Sequence, residues 1–268
     1  MRYTTITSQA NPIIKEAVKI RERHGRQRGA FLIEGPHLME MAVLSPDLEI
    51  RRVYFSEEFG SKKEGQKLLR QVFSKTENLI EVPAHLLTKI TETETPQGIA
   101  AIVALKSIAL DDIPLKENPL LVVCDGIQDP GNMGTIIRLS DAVGADAVII
   151  LPGTCDPFMP KAIRATAGSI FNVPVIACRT EELISYLKEH DVSLCAADIR
   201  AERTIYETDL CRPLALAFGN EAHGVGDELK QEVQETVKIP ILGKAESLNV
   251  AMSASVCLYE AVRQRGFV

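Results

Sequence analysis

Apolar residues recur at Ile13, Ile14, Ala17, Val18 and Ile20, the spacing of one helix face, so residues 12–22 are expected to be helical. Gly25 and Gly29 interrupt that pattern, and Phe31, Leu32 and Ile33 follow as a short strand. Pro36 sits where a first helical turn accepts proline and opens a helix over 37–44. Residues 52–55 read as a strand, 65–73 as a helix and 99–105 as a buried strand. This alternation predicts a small α/β sandwich over 1–106. The stretch 106–119 is polar, holds Pro114 and Pro119 and shows no period, so 107–118 is expected to be a linker.

Beyond it the apolar positions stop alternating and run continuously through 120–124, 147–151, 173–177, 192–196 and 214–218, with helical patterns between. Runs of this kind suit parallel strands buried on both faces. A second α/β domain with a mostly parallel sheet is therefore expected over 119–268. No run reaches the roughly 18 residues of a membrane span, and the first residues lack the apolar core of a signal peptide.

Composition changes this picture in two places. The formal charge of −6 disfavours a nucleic-acid partner on its face, but it is unevenly placed. Residues 1–110 hold 16 basic and 13 acidic side chains, a net of +3, which leaves −9 for the rest. Lys15, Lys19, Arg21, Arg23, Arg26 and Arg28 crowd one segment, read either as a solvated helix face or as an anion-binding module. The cysteines (Cys124, Cys155, Cys178, Cys195, Cys211 and Cys257) form no C-x-x-C pair and have no histidine at metal-ligand spacing. Several lie in apolar runs, the pattern of reduced thiols in a cytoplasmic protein, and no metal site is expected.

Three polar clusters fall where apolar strands of the second domain end, the place where open α/β sheets bind ligands. QDPGNMGTIIR, ending at Arg138, lacks both the dinucleotide fingerprint and the P-loop lysine. By itself it also reads as a tight turn with Asn132 capping a helix and Arg138 in solvent. FGNEAHGVG places Glu221 and His223 among glycines that let a backbone approach a ligand, or that merely form a solvated loop. IPILGKAESLNVAMSASVCLYE continues a short strand that starts at Val237, with Ser247 well placed to cap a long apolar helix; taken alone, Ser247 and Asn249 also read as having a capping role only.

In this order the three segments resemble the motifs of the SpoU, or TrmH-type, branch of the SPOUT RNA methyltransferases. NPIIKEAVKIRERHGRQRGAFLIEGPHLMEMA is similar to that family's ribosomal-protein-like substrate-binding domain, so the resemblance spans nearly the whole chain. It implies S-adenosylmethionine as methyl donor, a ribose 2′-hydroxyl in RNA as acceptor, a deep C-terminal trefoil knot and a homodimer. Matched position by position, it implies catalytic roles for Asn132, Arg138, Glu221, Ser247 and Asn249. It implies cofactor contacts through the backbone at Gly219, Ile239 and Leu248. Leu139 departs from the pattern, where a small hydroxyl residue is common.

Methyl transfer from a sulfonium needs an oriented hydroxyl, a route for its proton and a dry site. Arg138 is expected either to position or deprotonate that hydroxyl, or to anchor the target's phosphate electrostatically. Phosphate binding by Lys15, Arg23, Arg26, Arg28 and Arg164 would hold RNA without reading its bases. The expected substrate is large-subunit ribosomal RNA, with transfer RNA as the alternative. A non-catalytic RNA-binding protein and a nucleotide-dependent oxidoreductase are the readings from other classes. No membrane or metal partner is expected.

Overall fold

A computed structural model describes residues 2–22, 29–106 and 108–266. The chain forms two compact units, Met1–Ser107 with Asp156–Phe171, and Ile108–Cys155 with Asn172–Val268. The first unit contains, in chain order, β1 (Thr4–Thr5), α1 (Pro12–Glu22), β2 (Ala30–Glu34), α2 (Pro36–Leu44) and β3 (Ile50–Phe55). There follow α3 (Glu57–Ser61), α4 (Lys63–Phe73), β4 (Leu79–Glu81), α5 (Ala84–Ile90) and β5 (Ile99–Ala104). Its sheet has the order β1-β4-β3-β5-β2, with β5 antiparallel to both neighbours and the other pairs parallel.

Period-two alternation sorts these strands' side chains onto two faces. Leu32, Tyr54, Ile80 and Ile102 meet Ile14, Ala17 and Ile20 of α1 and Leu86, Leu87 and Ile90 of α5 in one core. Arg21 caps the end of α5 by donating to the carbonyls of Lys89 (2.8 Å) and Thr91 (2.9 Å). That C-terminal turn is where a cation is favoured.

The second unit is built from β6 (Leu120–Asp125), α6 (Pro130–Ala142) and β7 (Ala147–Ile150). The chain then supplies α7 (Pro160–Thr166) to the first unit. It continues in the second with β8 (Val175–Ala177), α8 (Thr180–Glu189), β9 (Ser193–Ala197), β10 (Arg203–Thr204) and β11 (Leu214–Gly219). The last elements are α9 (Asp227–Lys230), β12 (Glu235–Lys238) and α10 (Val250–Arg265). The seven-stranded sheet has the order β10-β12-β9-β11-β6-β7-β8 and is parallel throughout. Leu121, Val123, Ile149, Leu194 and Ala217 face α8 and share a core with Leu183, Tyr186 and Leu187. Leu120, Val122, Val148, Leu216 and Phe218 are buried as well, which is why these strands read as unbroken apolar runs.

Two segments depart from the simple two-block picture. Ile113, inside the expected linker, is buried in the core of the second unit, and Ile108, Leu110 and Leu115 pack against it. Residues 156–171, although they lie between β7 and β8, lean on β2, where Phe158 meets Phe31 with ring centroids 5.0 Å apart. In the same insertion Gly168 has φ +100, and a Cβ there would lie 2.7 Å from Met41 Cγ. Only glycine suits that position without strain.

Helix α10 is held at its end by Arg265, whose guanidinium donates to the carbonyls of Asn118, Pro119, Leu210 and Arg212 at 2.8–3.2 Å. Burial lowers the pKa of this guanidinium from its ordinary value. Burial pushes the Cys178, Cys195 and Cys257 thiols up to about 12 and raises that of Cys124 as well.

Two outcomes follow from this packing. A Phe31→Ala/Phe158→Ala double-mutant cycle, read by chemical denaturation, is expected to show a coupling of about 1 kcal/mol; additive losses would mean that the rings do not pack together. A short iodoacetamide pulse at about pH 8, where a raised pKa keeps a thiol protonated and unreactive, should label the exposed Cys211 ahead of the buried Cys124, Cys195 and Cys257. Peptide mass spectrometry reads the order, and fast labelling of the buried three would contradict the closed core.

Candidate active site

The register of β6 against β11 runs from Leu120–Leu214 to Asp125–Gly219, so both strands end together and their loops begin side by side. After β6 the chain turns at Gly126 (φ +74). Its N–H donates to the Thr154 hydroxyl at 2.9 Å, and that hydroxyl donates in turn to the Cys124 carbonyl at 2.9 Å. Asp129, not Asn132, caps α6: its Oδ1 accepts from the Asn132 N–H at 2.9 Å, and Pro130 occupies the first turn. Asn132 therefore has its backbone inside the helix and its side chain free to reach outward.

At the far end of the chain Asn249, not Ser247, caps α10, its Oδ1 accepting from the N–H groups of Ala251 (3.0 Å) and Met252 (3.3 Å). The Asn249 Nδ2 donates to Asn132 Oδ1 at 3.0 Å, and Asn132 Nδ2 donates to Glu221 Oε1 at 2.9 Å. Each donor and acceptor assignment is forced, because an ionised carboxylate only accepts and the α10 amides only donate. The result is a polarised chain from the N-terminus of a helix to a carboxylate, an arrangement in which each bond strengthens the next.

Beside this chain lies a cavity of about 510 Å³. That volume falls within the range of small-molecule sites, ~300–1,000 Å³. Gly219, Glu221, Ile239, Ser247 and Leu248 line it, together with Phe218 and Val250. Gly219 is indispensable to this shape, since a Cβ there would fall 2.0 Å from the carbonyl carbon of Gly224. Sequence reasoning passed over Asp198 and Arg200, which also line the cavity. The Arg200 guanidinium, hydrogen-bonded to Asp198 at 3.1 Å, holds that carboxyl below its ordinary range. The available signal was an Asp-x-Arg triplet directly after an apolar run. Asn220, another lining residue, was also missed.

Of the expected catalytic set, Asn132, Glu221 and Asn249 are joined and Ser247 lines the cavity. Arg138 lies on the exposed face of α6 and does not line the cavity. Of the expected RNA contacts, Lys15 is exposed on α1, and Arg164 is exposed but paired with Glu92 at 2.9 Å. Arg23, Arg26 and Arg28 lie outside the described residues. Among the described residues no group of His, Cys, Asp and Glu side chains is placed to hold a metal ion, and no helix is long and apolar enough to cross a membrane.

The SpoU rRNA Methylase family matches residues 119–259, the segment that carries the first two clusters whole and the third as far as Tyr259. The chain belongs to the SpoU rRNA methylase family. An MRM3-like substrate binding domain matches residues 11–101 of this SpoU methylase. The 23S rRNA (guanosine(2553)-2′-O)-methyltransferase RlmP of Bacillus subtilis is 32% identical, over 95% of this chain and 97% of its own length. The 23S rRNA (uridine(2479)-2′-O)-methyltransferase of Streptomyces viridochromogenes is also 32% identical, over 91% of this chain and 86% of its own. Among solved structures, the AdoMet-bound rRNA methyltransferase from Sinorhizobium meliloti superposes with a TM-score of 0.86 at 30% identity. That match covers 97% of this chain and 98% of the other.

For this SpoU methylase, Gly219→Ala is expected to displace the loop that follows β11 and to lower methyl transfer by about a hundredfold, the order of loss that misplacing a site by an ångström produces. Circular dichroism should stay unchanged, and full turnover by the variant would show that the close approach is dispensable.

Proposed function

We propose that this chain transfers a methyl group from S-adenosylmethionine to a ribose 2′-hydroxyl of large-subunit ribosomal RNA. The observation that carries the proposal is the Asn249–Asn132–Glu221 chain set beside the glycine-edged cavity. The residues present fit such a donor. The cavity has the size of a nucleoside-bearing ligand, its wall at Gly219 is bare backbone, and Glu221 puts a carboxylate where a sulfonium's charge is tolerated. When bound, the donor supplies an electrophilic methyl carbon that needs no further activation.

The remaining work falls to this chain. Gly219, Ile239 and Leu248 hold the donor through backbone groups. Asn132, Glu221, Ser247 and Asn249 fix the acceptor's orientation and exclude water. Arg138 anchors the target's phosphate, since a guanidinium stays charged throughout neutral pH. Its exposure on α6 leaves it accessible to RNA. The hydroxyl's proton leaves by way of phosphate or water as the oxygen attacks, so no arginine has to be neutral.

The rRNA reading is supported by the names of the relatives and by the match to a substrate-binding domain over residues 11–101. Lys15, Arg23, Arg26, Arg28 and Arg164 hold the RNA through its phosphates, and Arg164 exchanges its Glu92 partner for phosphate on binding. Two copies act together. This is supported by the exposed apolar side chains of Leu242, Leu248, Met252 and Tyr259, which a partner's surface would cover. The trefoil knot implied by the resemblance belongs to the same reading.

Mapping of 2′-O-methyl groups on ribosomal RNA, with and without this protein, tests the substrate. One site should disappear in its absence, and an unchanged map would refute the ribosomal assignment. With purified components, Arg138→Ala should lower kcat for transfer of tritiated methyl by about a hundredfold, the usual scale for removing one charge-stabilising donor. Full turnover would remove Arg138 from the site.

A further inference from the structure

Glu221 is exposed, and its hydrogen bond to Asn132 joins side chains 89 residues apart. Its placement must therefore come from the loop that carries it. Residues 220–224 are closed by a reciprocal backbone pair, with Asn220 N–H donating to Gly224 O at 2.9 Å and Gly224 N–H to Asn220 O at 2.8 Å. Gly224 makes that closure possible with φ +73. Inside the loop, Asn220 Oδ1 accepts from the N–H groups of Ala222 (2.9 Å) and His223 (3.2 Å).

Two further bonds cross from this loop to the end of β6 and the turn after it, and in both the 220–226 segment is the donor. Asn220 Nδ2 donates to the Gly126 carbonyl at 3.0 Å, while Gly226 N–H donates to Asp125 Oδ2 at 2.7 Å. The first lies just before Glu221 and the second at the loop's far end, so the two crossings bracket the acid. Asp125 and Gly219 are the last paired residues of β6 and β11, so this latch starts where the sheet's own ladder stops. Asn220 thus uses both ends of its amide: the oxygen shapes its own loop and the nitrogen fastens that loop to its neighbour.

We infer that Asn220 and Asp125 are positioning residues for the methyl-transfer site, latching the 220–226 loop to the 126–129 loop so that Glu221 reaches Asn132 and the Gly219 backbone faces the cavity. The inference rests on the reading of Asn132, Glu221 and the adjoining cavity as the methyl-transfer site. It separates the latch from the groups that touch the ligand, and it distinguishes the two ends of one amide. A carboxylate at position 220 keeps the acceptor for Ala222 and His223 but sets an anion against the Gly126 carbonyl. An amide at position 125 still accepts from Gly226.

The full-length protein carrying Asn220→Ala, Asn220→Asp, Asp125→Ala or Asp125→Asn is tested by calorimetric titration with S-adenosylmethionine and by methyl-transfer kinetics on RNA. Glu221→Ala serves as the reference for the site itself. Asn220→Ala, Asn220→Asp and Asp125→Ala are expected to weaken donor binding by about tenfold, the scale of one well-placed hydrogen bond. The three should also lower kcat while leaving the KM for RNA nearly unchanged. Asp125→Asn should recover most of what Asp125→Ala loses. Should Asn220→Ala fail to fold, Asn220→Asp and the two Asp125 variants decide the question. Normal donor affinity in these variants while Glu221→Ala is impaired overturns the latch and leaves the site reading standing. A silent Glu221→Ala overturns the site reading and the latch with it. Equal losses for donor and RNA, without rescue by Asp125→Asn, would mark the residues as general supports of the fold and refute a positioning role.

Discussion

The parallel pairing of β6 with β11 is the constraint from which the site follows. In sequence these strands are separated by β7, β8, β9 and β10, yet in the sheet they are neighbours and end on the same rung, Asp125 beside Gly219. At such a point, where strand order departs from chain order, the loops leave a crevice that backbone alone cannot fill. The glycines of both loops let the chains turn sharply and approach closely. The cross-loop bonds of Asn220 and Asp125 then fix what the ladder no longer holds. A one-residue slip of β11 would turn Phe218 to the other face of the sheet and carry Glu221 away from Asn132.

Helix α10 completes the site from the opposite direction. Its N-terminus supplies the amides that orient Asn249, and its C-terminus is fastened by the four carbonyls around Arg265. Ala251, Ala254 and Ala261 keep its buried face small, which allows it to lie close to α6. The two helices that carry Asn249 and Asn132 are thereby held as neighbours, and a bond across 117 residues of chain becomes a local contact. An exposed carboxylate such as Glu221 gains its orientation from this scaffold, not from burial.

The charge distribution acquires a physical meaning only when divided along the chain. A basic excess of +3 in the first 110 residues suits a module that holds phosphates, whereas −9 elsewhere serves solubility and does not oppose a neutral-to-cationic small ligand. Arg21 shows why counting charges is not enough: its guanidinium is occupied with the end of α5, although it belongs to the same basic run as Lys15. Arg164 likewise has a carboxylate partner within its own unit.

Much of this was readable before any coordinates. The apolar runs identified β6, β7, β8, β9 and β11, because strands buried on both faces must be apolar at successive positions. The three polar clusters marked the loops of the site, and their resemblance to SpoU motifs pointed to the residues. Short elements such as β4, with three residues, and β10, with two, are too brief to develop a period and were not legible. The cap of α6 is Asp129 and not Asn132, and of the two candidates at α10, Ser247 and Asn249, the second holds the position, since helix starts depend on where the preceding turn closes. The linker proved apolar enough to join a core through Ile113, and residues 156–171 crossed to the other unit, because burial there is set by neighbours distant in sequence. By itself the sequence determined the longer elements and which loops carry the candidate site, both of which depend on local pattern. Which of their residues meet, through which end of each amide, and around which cavity was decided only by tertiary structure, because strand order and register bring together groups that no local spacing relates.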